Sequence, residues 1–157
     1  MRRTKRCTAI VAFVVSCATT GSAIAAEDAG AIEFGNGAEN AIVVDGLTRS
    51  GRDFTITEVT LADDGWLVLH PFADGRPVGE IYAGATFVPA GTHRNVVVRA
   101  QTVPMPEAGT PFLIMLHSDV DHDETFDFVF VDERNVADRA VFEGNRMIAH
   151  VFSSPEE

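Results

Sequence analysis

Beyond its first 26 residues the chain has no cysteine and no lysine. Cys7 and Cys17 both lie in the leader, and Lys5 is the lone lysine. A disulfide framework is therefore excluded for residues 27–157, as is thiol or Schiff-base chemistry. Glycine-rich phosphate loops and glycine-flanked nucleophilic serines are missing too. With so few sequence marks of catalysis, a hydrolase-type enzyme ranks third among the functional readings. Basic charge is also scarce, since eight arginines face 23 acidic side chains from Glu27 onward, a formal charge of −15. Such a surface repels nucleic acid and anionic membrane, because each phosphate contact needs a cation. It suits a solvated acidic module.

The N-terminus has the organisation of an export signal. Arg2, Arg3, Lys5 and Arg6 precede an apolar stretch from Cys7 to Ala18, and Ala23-Ile24-Ala25 offers a small-x-small cleavage site. Residues 1–26 are read as a signal peptide, giving a periplasmic or extracellular product with no membrane span after processing. The apolar stretch is shorter than a spanning helix needs. Val14-Val15-Ser16-Cys17 also fits a lipobox, so the alternative is a lipoprotein anchored through Cys17.

Residues 27–40, rich in Ala, Gly, Glu and Asn, read as a flexible lead-in, and residues 41–157 as one domain. There the apolar residues recur with a period of two between turn signals. The expected strands are Ala41–Val44, Phe54–Leu61, Trp66–His70, Ile81–Val88, Asn95–Gln101, Pro111–His117, Thr125–Val131 and Met147–Phe152. Asp64-Gly65 predicts a hairpin between the second and third. Phe112–Leu116 is apolar on both faces, as in a central strand covered on both sides. Phe126, Phe128 and Phe130 alternate and are expected inside, against Ile114, Leu116 and Val98. Seven to eight short strands without a clear helix predict an all-β, antiparallel, Ig-like β-sandwich; a partly closed β-barrel is the alternative.

The chemically richest stretch runs from His117 to Asp127. Asp119, Asp121 and Asp123 stand two apart, a spacing that in a loop turns three carboxylates toward one hard cation such as Ca2+. The metal-site candidates are Asp119, Asp121, Asp123, Asp127 and His117; no catalytic residue is assigned. The loop is not an EF-hand, since Glu124 occupies the place of the turn glycine and Phe130 that of the bidentate glutamate. A solvated acidic turn is the competing reading. His70, His93, His117, His122 and His150 show no recognised ligand spacing, although His117, His122 and nearby carboxylates define an alternative metal-binding reading. Trp66, the single tryptophan, is read as a core or rim residue, and Arg94 and Arg99 as solvent-facing charges.

Trp66-Leu67-Val68-Leu69-His70, the segment Ala90–Val96, Met115–Asp119 and Thr125–Val129 occur in order, and Ala140–Asn145 with Ile148, Ala149 and Val151 closes the chain. This series resembles an uncharacterised extracellular β-domain common in secreted and surface proteins of haloarchaea and present in some exported bacterial proteins. The resemblance spans Arg52 to Phe152. It implies location and architecture, with no activity attached. Members of that family carry Thr and Asn where this chain has Val120, Asp121 and Asp123, while His117, Asp119 and Asp127 keep the pattern. The expected function is a non-catalytic binding or structural module of the cell envelope, stabilised by a divalent cation. Its partner would be an envelope protein or a small ligand.

Overall fold

The computed structural model describes residues 31–157 apart from 128, 129, 132, 133, 136 and 137, with backbone alone for 130, 131, 134 and 135. Residues 1–26, expected to be a signal peptide, therefore lie outside the described residues. The strands run in order β1 (Glu33–Phe34), β2 (Ala41–Val43), β3 (Thr48–Ser50), β4 (Asp53–Leu61) and β5 (Gly65–Ala73). Next come β6 (Arg76–Pro77), β7 (Gly84–Val88), β8 (Gly91–Arg99), β9 (Pro111–Ser118) and β10 (Phe130–Val131). The last are β11 (Arg134–Asn135), β12 (Arg139–Ala140), β13 (Phe142–Glu143), β14 (Arg146–Met147) and β15 (Ala149–Ser153). Among the described residues there is no helix, and the fold is the expected all-β sandwich.

In one sheet β4 is central, with β2 and β3 along one side and β8 along the other. In the second, β5 and β9 pair at the centre, flanked by β7 and β6 beyond β5 and by β15 and β12 beyond β9, all antiparallel. Alternation along β4 sends Phe54 and Ile56 inward toward Leu67, Leu69, Ile114 and Leu116 of the facing sheet. Phe54 packs edge-on against Phe112 and Phe152, with ring centroids 5.3 and 5.7 Å apart. At one seam the layers curl together, where the Thr86 hydroxyl on β7 donates to the Val97 carbonyl on β8 at 2.7 Å.

As its two-sided apolar sequence predicts, β9 is buried from Phe112 to His117. Its second face carries Leu113, Met115 and His117, and the partnered stretch of β5 adds Trp66, Val68 and His70.

Three expectations change. Asp64-Gly65 does not close a hairpin: β4 and β5 belong to different sheets, and the turn carries the chain from one layer to the other. Gly65 is needed because a Cβ there would fall on the His117 carbonyl of β9. Phe126 is also relocated. Phe126 is outside any strand and lies against His117, Trp66 and Tyr82, on the opposite face of β9 from Ile114 and Leu116. Phe128 and the Phe130 side chain lie outside the described residues. The segment expected as a flexible lead-in is docked from Glu33 onward. Here β1 pairs in parallel with β14, and the Glu143 carboxylate accepts backbone N–H bonds from Ala38, Glu39 and Asn40 at 2.6, 3.1 and 2.8 Å. These bonds hold the Glu143 carboxyl below its ordinary value, the Ala38 N–H first among the causes.

Candidate cation site

Leaving β9, the chain runs directly into the acidic loop. The Asp119 N–H donates to the Asp64 carbonyl at 3.1 Å, which fixes the loop's start against the β4–β5 crossover. The loop then turns on its own carboxylates: Asp119 Oδ2 accepts the Glu124 N–H at 3.2 Å and Asp123 Oδ1 accepts the Thr125 N–H at 2.7 Å. His122 and Glu124 adopt left-handed backbone, φ 58° and 55°. Glu124 thus takes up, without glycine, a left-handed turn conformation that L residues seldom adopt.

The loop is closed from outside by Asp138. Its Oδ2 accepts the Asp127 N–H at 2.8 Å. One ligand oxygen from each of Asp119, Asp121 and Asp138 lies within 4.8 Å of the others. Asp119 is only 3% exposed and Asp138 is buried, whereas Asp121 is open to solvent. Asp119 Oδ1 has no hydrogen-bond partner, an arrangement that costs a buried carboxylate dearly unless another group supplies compensating charge. The structure therefore brings together two of the five sequence candidates and adds a third carboxylate, Asp138. Asp123 is engaged by the Thr125 N–H, the Asp127 side chain is exposed, and neither these two nor His117 joins the converging group.

Asp138 was missed because nothing near Ala137-Asp138-Arg139 marks it. Its position follows from pairing: Arg139 sits opposite Ser118 and Ala140 opposite His117, which sets Asp138 beside Asp119. Burial pushes the Asp138 carboxyl up to about 6; the Asp127 N–H bond opposes this, and the charges of Asp127, Asp119 and Asp121 add to it. The Asp121 carboxyl is also raised, by desolvation first and then by Asp123 and Asp127. Three clustered carboxylates offer oxygen donors alone, the donor set of calcium-class cations rather than of zinc or copper.

His117 has a different setting. Its ring stacks on His70 at 5.7 Å and meets Phe126 edge-on at 5.4 Å. His117 Nδ1 is paired with the Asp138 carbonyl at 3.2 Å and His70 Nδ1 with the Ile81 carbonyl at 2.7 Å. A carbonyl only accepts, so each imidazole carries its proton on Nδ1. Burial holds both rings below their ordinary value, His117 at about 3. Both are neutral at physiological pH. His122 is exposed on the loop, and the described residues do not gather it with His117 into a ligand group.

No curated protein and no solved structure matches the chain. One family model matches residues 40–152, starting ahead of the stretch in which the sequence resemblance begins. The chain, with its two-layered β-fold and the carboxylate cluster at the end of β9, belongs to the family described as a domain of unknown function, DUF7282.

Proposed function

We propose that this chain is an exported, non-catalytic module of the cell envelope whose acidic loop holds one calcium-class cation. The supporting observation is the buried Asp119 carboxylate, with Oδ1 unpartnered and Asp121 and Asp138 converging on it. Bound there, a divalent cation offsets the mutual repulsion of three carboxylates and satisfies the orphaned oxygen. It also ties the loop to the strand entrance at Asp138 and so stabilises the folded state. The leader supports export, to the periplasm or beyond, and the strongly acidic surface favours soluble envelope partners or small ligands over nucleic acid.

The test is thermal unfolding of the exported chain with calcium chloride or sodium chloride at matched ionic strength. A millimolar site, typical of extracellular calcium modules, adds about 0.4 to about 1.4 kcal/mol between about 1 and about 10 mM ion. The Asp119→Asn, Asp121→Asn double variant should lose that gain. Equal stabilisation by both salts, or a double variant that keeps the full effect, makes the cluster a solvated acidic turn. Intact mass of the same preparation should place the N-terminus at Ala26 or Glu27, and a lipid-modified Cys17 would overturn the freely exported form.

A further inference from the structure

The strap from Asp119 to Asp127 is held in an unusual way. After the Asp119 N–H bond to Asp64, the inward backbone N–H bonds described for it end on carboxylates: Glu124 on Asp119, Thr125 on Asp123, Asp127 on Asp138. Among the described residues no strand ladder includes it. Its one large apolar contribution is Phe126, whose ring lies 5.4 Å from Trp66, 5.0 Å from Tyr82 and 5.4 Å from His117. Phe126 also forms one wall of a cleft of about 230 Å³ shared with Trp66, Tyr82, Gln101 and Thr102.

Two opposed effects act on this strap. Ring contacts favour docking. Against them, the closed strap keeps Asp119 and Asp138 crowded and out of water, and Trp66 Nε1–H is buried with no acceptor. Opening would hydrate all three groups. Without a counter-charge the polar groups thus oppose docking, and a divalent cation reverses the contribution of the two carboxylates while leaving that of the Trp66 N–H unchanged.

We propose that cation occupancy at Asp119, Asp121 and Asp138 controls the docking of Phe126 onto Trp66 and His117, so that the ion opens or closes the aromatic cleft. This inference rests on the cation reading above. The regulated element is the strap; the two sheets keep their pairing in either state.

Trp66 is the only tryptophan, so its fluorescence reports on this face alone. The experiment compares the full exported chain in calcium and in EGTA at constant ionic strength, with calcium binding measured in parallel by isothermal titration. Chelation should shift Trp66 emission to the red and raise its acrylamide quenching severalfold, while the far-ultraviolet circular dichroism of the sheets stays the same. Phe126→Ala should leave Trp66 quenchable with and without calcium while calcium still binds. Unchanged quenching despite measured calcium binding overturns the inference and leaves the site standing. Loss of the sheet signal on chelation also overturns it, because the ion would then hold the whole fold. Absence of calcium binding removes the site itself and the inference with it.

Discussion

Asp138 links the cluster to the rest of the molecule by both its carboxylate and its carbonyl. The carboxylate faces Asp119 and Asp121, and the carbonyl accepts from His117. In the ion-free protein its raised value of about 6, against 3.8 unperturbed, means that the folded state resists ionisation. Below about pH 4 both folded and unfolded chains are protonated there and no cost arises. Stability is lost as pH rises toward about 6, and the full cost remains at neutral pH. Asp138→Asn should therefore make the calcium-free protein more stable at neutral pH, by up to about 2–3 kcal/mol, while abolishing the calcium response. Urea unfolding in EGTA checks the sign. A clearly less stable variant would show that the carboxylate's hydrogen bond from Asp127 outweighs its repulsion.

At the scale of elements, the close approach of β5 and β9 depends on Gly65. Its φ is ordinary for any residue; what demands glycine is the His117 carbonyl, on which a Cβ would fall. Backbone cannot step aside as a side-chain tip can, so Gly65→Ala must push the β9 end and its continuation into Asp119 outward. A stability loss of about 1–3 kcal/mol is expected, as for overpacking elsewhere, accompanied by weaker calcium binding because Asp119 moves with the strand. Chemical unfolding and calcium titration of the variant measure the two effects. A variant with wild-type stability and affinity would mean that the strands separate freely at this point. A second link between elements is the Glu143 carboxylate, which gathers the amides of 38–40 and clamps the lead-in to the closing hairpin. The Asn40 side chain strengthens that clamp with a bond to the same carboxylate at 3.1 Å.

For the whole molecule, the buried imidazoles set an acid limit. His70 and His117 are neutral in the fold, desolvation being the leading cause for each. The unfolded chain takes up protons near the ordinary value of 6.5, whereas folded His117 does so only near 3. Stability is therefore complete above about pH 6.5 and declines as pH falls, by about 2 kcal/mol for His117 alone at about pH 5. Asp138 acts in the opposite sense over part of this range, since its ionisation cost is relieved as pH drops through about 6. The described groups facing His117 include His70, Phe126 and the Asp138 carbonyl. In calcium-free Asp138→Asn the histidine effect acts without that opposition. Its unfolding free energy should fall steadily from about pH 7 to about pH 4.5, and a flat profile would show that water reaches the two rings.

Much of this architecture is legible in the amino-acid order, because it depends on local periodicity and composition. Alternation along Phe54–Leu61, the two-sided apolar run Phe112–Leu116 and the absence of cysteine and lysine beyond residue 26 determine an acidic, disulfide-free, strand-built domain. The spacing of Asp119 and Asp121 marks the loop in the same local way. What the tertiary structure decided is non-local. Asp64-Gly65 reads as a hairpin until β4 and β5 are seen to pair with different partners. Phe126 alternates with its neighbours like a core strand residue, yet the chain leaves the sheet at Ser118 and brings the ring back over its second face. Asp138 joins the carboxylate cluster only because β12 pairs with β9 in one register, and a shift of one residue would turn its side chain to the other face. Side-chain period belongs to a strand by itself, whereas register is settled by segments distant in sequence packing against one another. The third carboxylate of the site is therefore a product of the fold.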